Sequence, residues 1–174
     1  MKGRFRLSVL CTVTTASAQK TFAFGQALAA FLLPGGVVAL TGPLGAGKTT
    51  LAQGILSGLG LERPAASPTF TIINRYRLPR GVCYHIDAYR LDGIEAFFDI
   101  GGDEAVSGQA PAVVEWADRI RDALPADSLW IDIQYVPGRP EARQLVASGP
   151  AERWGRIGEL ALAQAEPDQA VAPC

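Results

Sequence analysis

The sequence predicts an α/β fold in which a central parallel sheet lies between helices and carries antiparallel strands at its edges. Three observations predict this class. Val37–Thr41 is almost entirely apolar, as expected of a strand that is buried on both faces. A glycine-rich turn, residues 42–49, leads from this strand into a helical pattern at residues 50–56. A second short apolar stretch, Ala112–Glu115, ends on an acidic residue.

Composition favours one domain with a full core. The chain has 174 residues, of which 48% are hydrophobic and 19% charged. We expect residues 1–150 to form this domain and residues 151–174 to form a C-terminal helix and a frayed tail. The net charge of −1 argues against tight unassisted binding to nucleic acid. No apolar run reaches the roughly 18–20 residues of a membrane span, so we expect no membrane association.

The three cysteines of the sequence are Cys11, Cys83 and Cys174. They show no metal-ligand spacing, and an odd number cannot all pair within the chain. Free thiols in a reducing cytoplasm are therefore the simplest interpretation.

The elements around the first strand follow from periodicity and turn residues. Residues 5–13 are predicted to form a strand. Residues 17–33 carry apolar side chains at helical spacing, and Pro34-Gly35-Gly36 ends that helix. The helix after the glycine-rich turn is expected to run to about Leu59. Ser67-Pro68 marks a loop.

The second half of the sequence mixes strands with short helices. Turn residues at Arg80-Gly81 and across 137–140 separate neighbouring strands, and Pro125 ends a helix. The predicted elements are strands over residues 70–78 and 82–87, a short helix over 93–98, a strand over 112–115, a helix over 116–124, a hairpin of residues 129–136 and 142–147, and a last helix over 151–164.

The glycine-rich turn carries the strongest functional signal. Its sequence, Gly42-Pro43-Leu44-Gly45-Ala46-Gly47-Lys48-Thr49, fits the phosphate-binding loop G-x-x-x-x-G-K-[ST]. Glycines let the backbone aim successive N–H groups at phosphate oxygens, and the helix N-terminus adds partial positive charge. Lys48 is expected to reach the β- and γ-phosphates and Thr49 to hold Mg²⁺. The fold class is therefore a three-layer sandwich of the P-loop NTPase type.

A phosphate-binding loop needs a carboxylate at the end of a neighbouring apolar strand to hold Mg²⁺. Glu115 ends such a strand. The alternative interpretation is an acid at a helix N-terminus, where the helix dipole favours negative charge. Sequence alone leaves both interpretations open.

Two further positions are candidates for a role in hydrolysis. Asp87, in His85-Ile86-Asp87-Ala88-Tyr89-Arg90-Leu91, could orient or deprotonate the attacking water, or it could simply cap a turn. Thr69 lies after the loop helix and could sense the γ-phosphate as part of a switch, or could belong to an ordinary loop. His85, the single histidine of the chain, is expected to be a packed or hydrogen-bonded core group.

Together these motifs resemble the TsaE (YjeE) family. The resemblance rests on Gly42–Thr50, Ser67–Phe70, His85–Leu91 and Glu115-Trp116, in that order, and covers roughly residues 17–148. Members of this family are bacterial ATPases needed to form threonylcarbamoyladenosine (t6A) in tRNA. One departure lies inside the loop, where Pro43 replaces a usual aspartate. It occupies a variable position, so phosphate binding should survive.

The resemblance implies a role for each matching residue. Lys48, Asp87 and Glu115 correspond to residues that act in catalysis, and Thr49 and Glu115 to the Mg²⁺ ligands. Thr69 matches a residue of a switch-like loop, and Trp116 follows the metal ligand as a candidate for switching or partner contact. The residues that match the ATP-binding positions are Gly42, Gly45, Ala46, Gly47, Lys48, Thr49 and Thr50.

The resemblance also implies partners. Proteins of this family work with the TsaD–TsaB pair and meet tRNA only indirectly, through that complex, and their ATP hydrolysis is thought to support its turnover. Two other functions fit the residues alone: a small-molecule P-loop kinase and a nucleotide-sensing adaptor that does not hydrolyse ATP. We expect slow turnover without partners, because no arginine finger is evident in the sequence.

Overall fold

A computed structural model of the chain describes residues 7–63, 65, 68, 71–79 and 81–164. These residues form one seven-stranded sheet with helices on both faces. The strands are β1 (Ser8–Thr15), β2 (Val37–Thr41), β3 (Ile73–Leu78), β4 (Gly81–Asp87), β5 (Ala112–Glu115), β6 (Leu129–Val136) and β7 (Arg139–Gly149). The helices are α1 (Ala18–Leu28), α2 (Lys48–Gly58), α3 (Ile94–Asp99), α4 (Gly102–Ala105), α5 (Ala151–Trp154) and α6 (Ile157–Gln164).

The strand order is β1-β7-β6-β2-β5-β4-β3. The central strands β6, β2, β5 and β4 run parallel to one another, whereas β3, β7 and β1 pair antiparallel. This confirms the α/β prediction of central parallel strands with antiparallel edges. No helix in the described part of the chain is both long and apolar enough to cross a membrane.

Two apolar cores cover the two faces of β2. Val38 and Leu40 pack with side chains of α1 and α2, whereas Val37 and Ala39 pack on the other side with Phe97 of α3. All four β2 side chains are buried. The unbroken apolar run of this strand is therefore the consequence of having helices on both faces of a parallel sheet.

Several helices and strands begin or end at other residues than the sequence predicted. The helix predicted over residues 17–33 ends as an α-helix at Leu28 and tightens into a 3₁₀ turn over Ala29–Phe31. The strand predicted over 70–78 starts at Ile73, because Ile72 has a φ of 64°, which is incompatible with a strand. Residues 69 and 70 lie outside the described residues.

The second half of the chain also differs from the prediction in detail. The helix predicted over 116–124 is a 3₁₀ helix over Ala117–Ala123 that is interrupted by non-helical backbone at Ile120, and the left-handed φ of 56° excludes Trp116 from it. The second strand of the hairpin is longer than predicted, since β7 pairs with β6 on one side and with β1 on the other. The predicted last helix is divided into α5 and α6, with Trp154 and Ile157 in the core, and residues 165–174 lie outside the described residues.

Candidate functional site

The register of the parallel strands brings the predicted site residues to one edge of the sheet. Leu40 of β2 lies beside Glu115 of β5, and Asp87 of β4 lies on the other side of Glu115. The glycine-rich loop begins two residues after Leu40. This register brings the loop, Asp87 and Glu115 together at the carboxyl edge of the sheet, where open α/β sheets bind their ligands.

The loop begins with a glycine that no other residue could replace without movement. Gly42 has φ 129°, and a Cβ at this position would collide with the carbonyl oxygen of Ile133 on β6. The next residue, Pro43, uses its carbonyl oxygen, which accepts a hydrogen bond of 3.2 Å from the backbone N–H of Ala46. The absent N–H of proline is not required by this turn, which agrees with the expectation that Pro43 is tolerated.

Lys48 opens helix α2 and is almost fully buried. Its ammonium group donates to the carbonyl oxygens of Gly42 at 2.7 Å and Pro43 at 2.8 Å. The same ammonium lies 3.6 Å from the centre of the Trp116 ring, a cation–π contact. Burial lowers the pKa of Lys48, and nearby carboxylates, above all that of Glu115, oppose this effect.

The side chain of Glu115 contacts both helix α2 and strand β4. The hydroxyl of Thr49 donates to Oε2 of Glu115 at 2.7 Å, and Oε1 lies 2.8 Å from Nε2 of His85. Both Glu115 and His85 are buried. The element that directly follows Glu115 and Trp116 is a 3₁₀ helix, so Glu115 does not precede the α-helix that the alternative interpretation required. Its two oxygens serve the loop and the imidazole instead.

Asp87 ends β4 and is buried at the same edge. Its Oδ1 accepts a 3.0 Å hydrogen bond from the backbone N–H of Tyr89, so Asp87 does cap the turn. Like Glu115, Asp118 and Asp132, Asp87 is one of the carboxylates whose charge raises the pKa of Lys48. The cap therefore does not exclude a second role towards the phosphate site.

The loop is also held from the opposite side, by the β6–β7 hairpin. Tyr135 donates its hydroxyl to the carbonyl oxygen of Leu44 at 2.7 Å, and Arg143 Nε donates to that of Ala46 at 3.0 Å. At the start of the loop, the Thr41 hydroxyl donates to Asp132 at 2.7 Å. We call Asp132, Tyr135 and Arg143 the hairpin side of the loop, and His85, Asp87 and Glu115 its carboxylate side.

Two adjoining pockets open at the loop. The first is lined by Leu44, Gly45, Gly47, Lys48, Thr49, Thr50, Glu115 and Trp116. The second is lined by Ala18, Thr21, Gly45, Gly47, Thr50, Glu141 and Arg143. Gly45, Gly47 and Thr50 are common to both, so a ligand could extend from one pocket into the other along the start of α2.

The donor set at the first pocket fits magnesium. Mg²⁺ prefers hard oxygen ligands and in nucleotide sites takes one or two from the protein and the rest from phosphate and water. The Thr49 hydroxyl and the Glu115 carboxylate supply two such oxygens, 2.7 Å apart. Within the described ranges, no three histidine, cysteine or acidic side chains form a cluster for a metal. The arrangement therefore suits an ion shared with a nucleotide rather than an all-protein metal cage.

Sequence reasoning missed several residues of this site. Tyr135, Arg143 and Thr21 belong to no recognised motif, and they act on the loop or on the second pocket from distant strands and from α1. His85 was expected to be a hydrogen-bonded core group, which agrees with its burial and its bond to Glu115. Thr69 lies outside the described residues, so its predicted switch role stays a prediction.

Two of the three cysteines lie in the described part of the chain. Cys11 and Cys83 are both buried. Burial raises the pKa of the Cys83 thiol to about 12. Cys174 lies outside the described residues.

Comparisons with known proteins point to one family. The sequence model of the family described as threonylcarbamoyl adenosine biosynthesis protein TsaE matches residues 15–145. A protein of Treponema pallidum named tRNA threonylcarbamoyladenosine biosynthesis protein TsaE is 42% identical over 120 residues, which cover 69% of this chain and 88% of the relative. The protein of the same name from Bacillus subtilis is 43% identical over 120 residues, which cover 69% of this chain and 75% of the relative.

A solved structure agrees with this result. The crystal structure of YdiB from Bacillus subtilis superimposes with a TM-score of 0.68 at 32% sequence identity. The match covers 92% of this chain and 97% of that one. The similarity therefore includes almost the whole fold and the edge of the sheet at which the phosphate-binding loop lies.

Proposed function

The chain belongs to the TsaE family, and we propose that it is a Mg²⁺-dependent P-loop ATPase required for t6A modification of tRNA. Its ATP binding and hydrolysis support turnover of the TsaD–TsaB complex, which carries out the transfer chemistry and holds the tRNA. The protein itself contacts tRNA indirectly and works in the cytoplasm.

The single observation that carries this proposal is the pairing of Thr49 with Glu115 at the start of α2. The two oxygens are 2.7 Å apart and lie beside Lys48, whose ammonium is buried at the loop. These two residues would hold Mg²⁺, which would supply positive charge to offset that of the nucleotide phosphates.

The loop holds the nucleotide through its backbone and through Lys48. The N–H groups of the loop from Gly42 to Thr50 bind the phosphates, assisted by the N-terminus of α2. Lys48 is already positioned by two loop carbonyls and by the Trp116 ring, so little side-chain freedom is lost when it contacts phosphate. The nucleoside extends past Thr50 into the second pocket, towards Thr21 and Arg143.

Asp87 orients the attacking water. Its carboxylate lies at the same edge of the sheet as Glu115, and its backbone cap fixes it in one orientation. A buried carboxylate that is close to the ammonium of Lys48 can accept a hydrogen bond from water or take its proton. The resemblance to the family assigns a role in hydrolysis to the same position.

Turnover of the isolated protein should be slow. No arginine lines the first pocket among the residues that the structure describes, so the positive charge that accelerates phosphoryl transfer in many NTPases is not supplied there. We expect the partner pair to stimulate hydrolysis. The segment after Leu124, where a phosphate-loop kinase needs an arginine-bearing lid, forms the β6–β7 hairpin of the sheet, which argues against the kinase alternative.

The test is an ATPase assay with and without the TsaD–TsaB pair, accompanied by ADP binding and by t6A measurement in tRNA of a deletion strain. We expect Mg²⁺-dependent hydrolysis that rises when the pair is added, and loss of t6A in the strain. Binding without hydrolysis in either condition would support the adaptor alternative. Phosphoryl transfer to a metabolite well above transfer to water would support the kinase.

A further inference from the structure

The position of the Glu115 carboxylate depends on a contact that the proposed function does not use. Nε2 of His85 lies 2.8 Å from Oε1 of Glu115, and both side chains are buried. An ionised carboxylate only accepts hydrogen bonds, so the ring nitrogen that faces it carries the proton and donates. The other oxygen, Oε2, accepts from the Thr49 hydroxyl at 2.7 Å. The carboxylate is thus held at both oxygens by two different elements.

The hydrogen bond to Glu115 is the main polar contact of the His85 side chain, as the second ring nitrogen shows. Nδ1 is buried and has no hydrogen-bond partner within the described part of the chain. An unsatisfied buried polar atom costs about 1–3 kcal/mol. If His85 served only to pack the core, we would expect both of its ring nitrogens to have hydrogen-bond partners. Here its one hydrogen bond in that part of the chain is directed at Glu115.

We propose that His85 is a positioning residue that sets the Mg²⁺ affinity of the nucleotide site. By donating to Oε1 it fixes the rotamer of Glu115 and keeps Oε2 beside the Thr49 hydroxyl, at the start of α2. The inference rests on the proposed function, because it needs Thr49 and Glu115 to hold the metal. Hydrogen-bond partners of metal-binding side chains typically change metal affinity by about 10–100-fold when they are removed.

A pair of amide substitutions separates positioning from packing. In His85→Gln the side-chain amide can reach the location of Nε2, whereas in His85→Asn it can reach only the location of Nδ1. Both variants bury one neutral amide, so they disturb the core in a similar way. Cys83→Ala is the matched control, since Cys83 is fully buried on the same face of β4 and packs against Leu56 rather than Glu115.

The readout is the ratio of the ADP dissociation constants measured in EDTA and in excess Mg²⁺, by calorimetry on the full chain. Thermal unfolding of each variant accompanies it. We expect His85→Asn to lower this ratio by about tenfold and His85→Gln to stay within about threefold of wild type. The Cys83→Ala variant should keep the wild-type ratio even if its melting temperature falls.

Four other results would contradict different statements. A wild-type ratio in His85→Asn, or an equal loss in both amide variants, overturns the role of His85 alone. A wild-type protein that binds ADP equally well in EDTA and in Mg²⁺ overturns the proposed metal site and the inference with it. A wild-type protein that does not bind ADP overturns the proposed nucleotide function itself.

Discussion

The two sides of the phosphate-binding loop are built from different chemistry. The hairpin side is attached to the backbone of the loop, through hydrogen bonds from Tyr135 and Arg143 to loop carbonyl oxygens. On the carboxylate side, Glu115 instead bonds to the Thr49 side chain, and Glu115 and Asp87 place buried negative charge close to Lys48. The hairpin side therefore shapes the loop, and the carboxylate side carries the groups to which the proposed function assigns the metal and the attacking water.

This division predicts which substitutions affect which step. Changes on the hairpin side should weaken nucleotide binding with or without Mg²⁺, because they alter the direction of backbone N–H groups. Changes on the carboxylate side should leave metal-free binding largely intact and affect Mg²⁺ binding or hydrolysis.

The largest expected difference is between two aspartates on opposite sides of the loop, Asp87 at the end of β4 and Asp132 within β6. Asp87→Asn keeps an oxygen that can cap the N–H of Tyr89, but it removes the negative charge. We expect partner-stimulated hydrolysis to fall by about 10²-fold or more, since general-base catalysis typically contributes that much. Asp132→Asn, on the hairpin side, keeps an acceptor for Thr41 and should stay within about threefold of wild type.

The measurement is steady-state ATP turnover with the partner pair, together with ADP binding. Unchanged turnover in Asp87→Asn would mean that Asp87 only caps the turn and has no role in hydrolysis, because asparagine caps as well as aspartate. An equal loss in both variants would remove the distinction between the two sides.

A second prediction concerns how the free energy of unfolding depends on pH through strand β4, which carries His85 and Asp87 of the carboxylate side. Strand β4 carries Cys83 on the face that also carries His85, and burial raises the pKa of Cys83 from 9.0 to about 12. A raised thiol pKa gives stability that is complete below pH 9 and is lost as the pH rises towards 12, because the unfolded chain ionises first. At pH 10 the unfolding equilibrium should be shifted by about tenfold towards the unfolded state by this group.

Urea unfolding between pH 7 and 10 checks this prediction, with Cys83→Ala as the reference. The difference between the two free energies of unfolding should shrink as the pH rises above 9. A difference that stays constant over this range would mean that the native protein ionises Cys83 as easily as the unfolded chain does, and would contradict its burial on β4.

Lys48, Asp87 and Glu115 could be found from the sequence, whereas His85 was expected only as a core group and the residues on the hairpin side were not found. Lys48, Asp87 and Glu115 each end or follow an apolar strand, and parallel strands bring their carboxyl ends to one edge. Tyr135 and Arg143 are 91 and 97 residues from the loop residues that they contact. They bind backbone carbonyls, which every residue has, so no pattern of side chains identifies the partner.

The backbone of Trp116 shows a second limit of sequence reasoning. The apolar spacing after this residue predicted a helix that includes it, yet its φ of 56° excludes it from the 3₁₀ turn that follows. A left-handed conformation costs roughly 1–2 kcal/mol in a residue with a side chain, and only tertiary contacts can repay it. Here the contacts are those of the indole ring with Lys48 and Tyr89.

The smallest expected effect tests the hairpin side directly. Tyr135→Phe removes the hydroxyl that donates to the carbonyl oxygen of Leu44 and leaves the ring in place. The loss of one such bond is worth about 1 kcal/mol, so ADP should bind about fivefold more weakly. Because Tyr135 does not contact Thr49 or Glu115, the loss should be equal in EDTA and in Mg²⁺. Tyr84→Phe, which removes a hydroxyl bonded to Glu104, is the matched control and should bind as wild type does. A loss confined to Mg²⁺ would assign Tyr135 to the metal site, and no loss at all would mean that the loop keeps its shape without this bond.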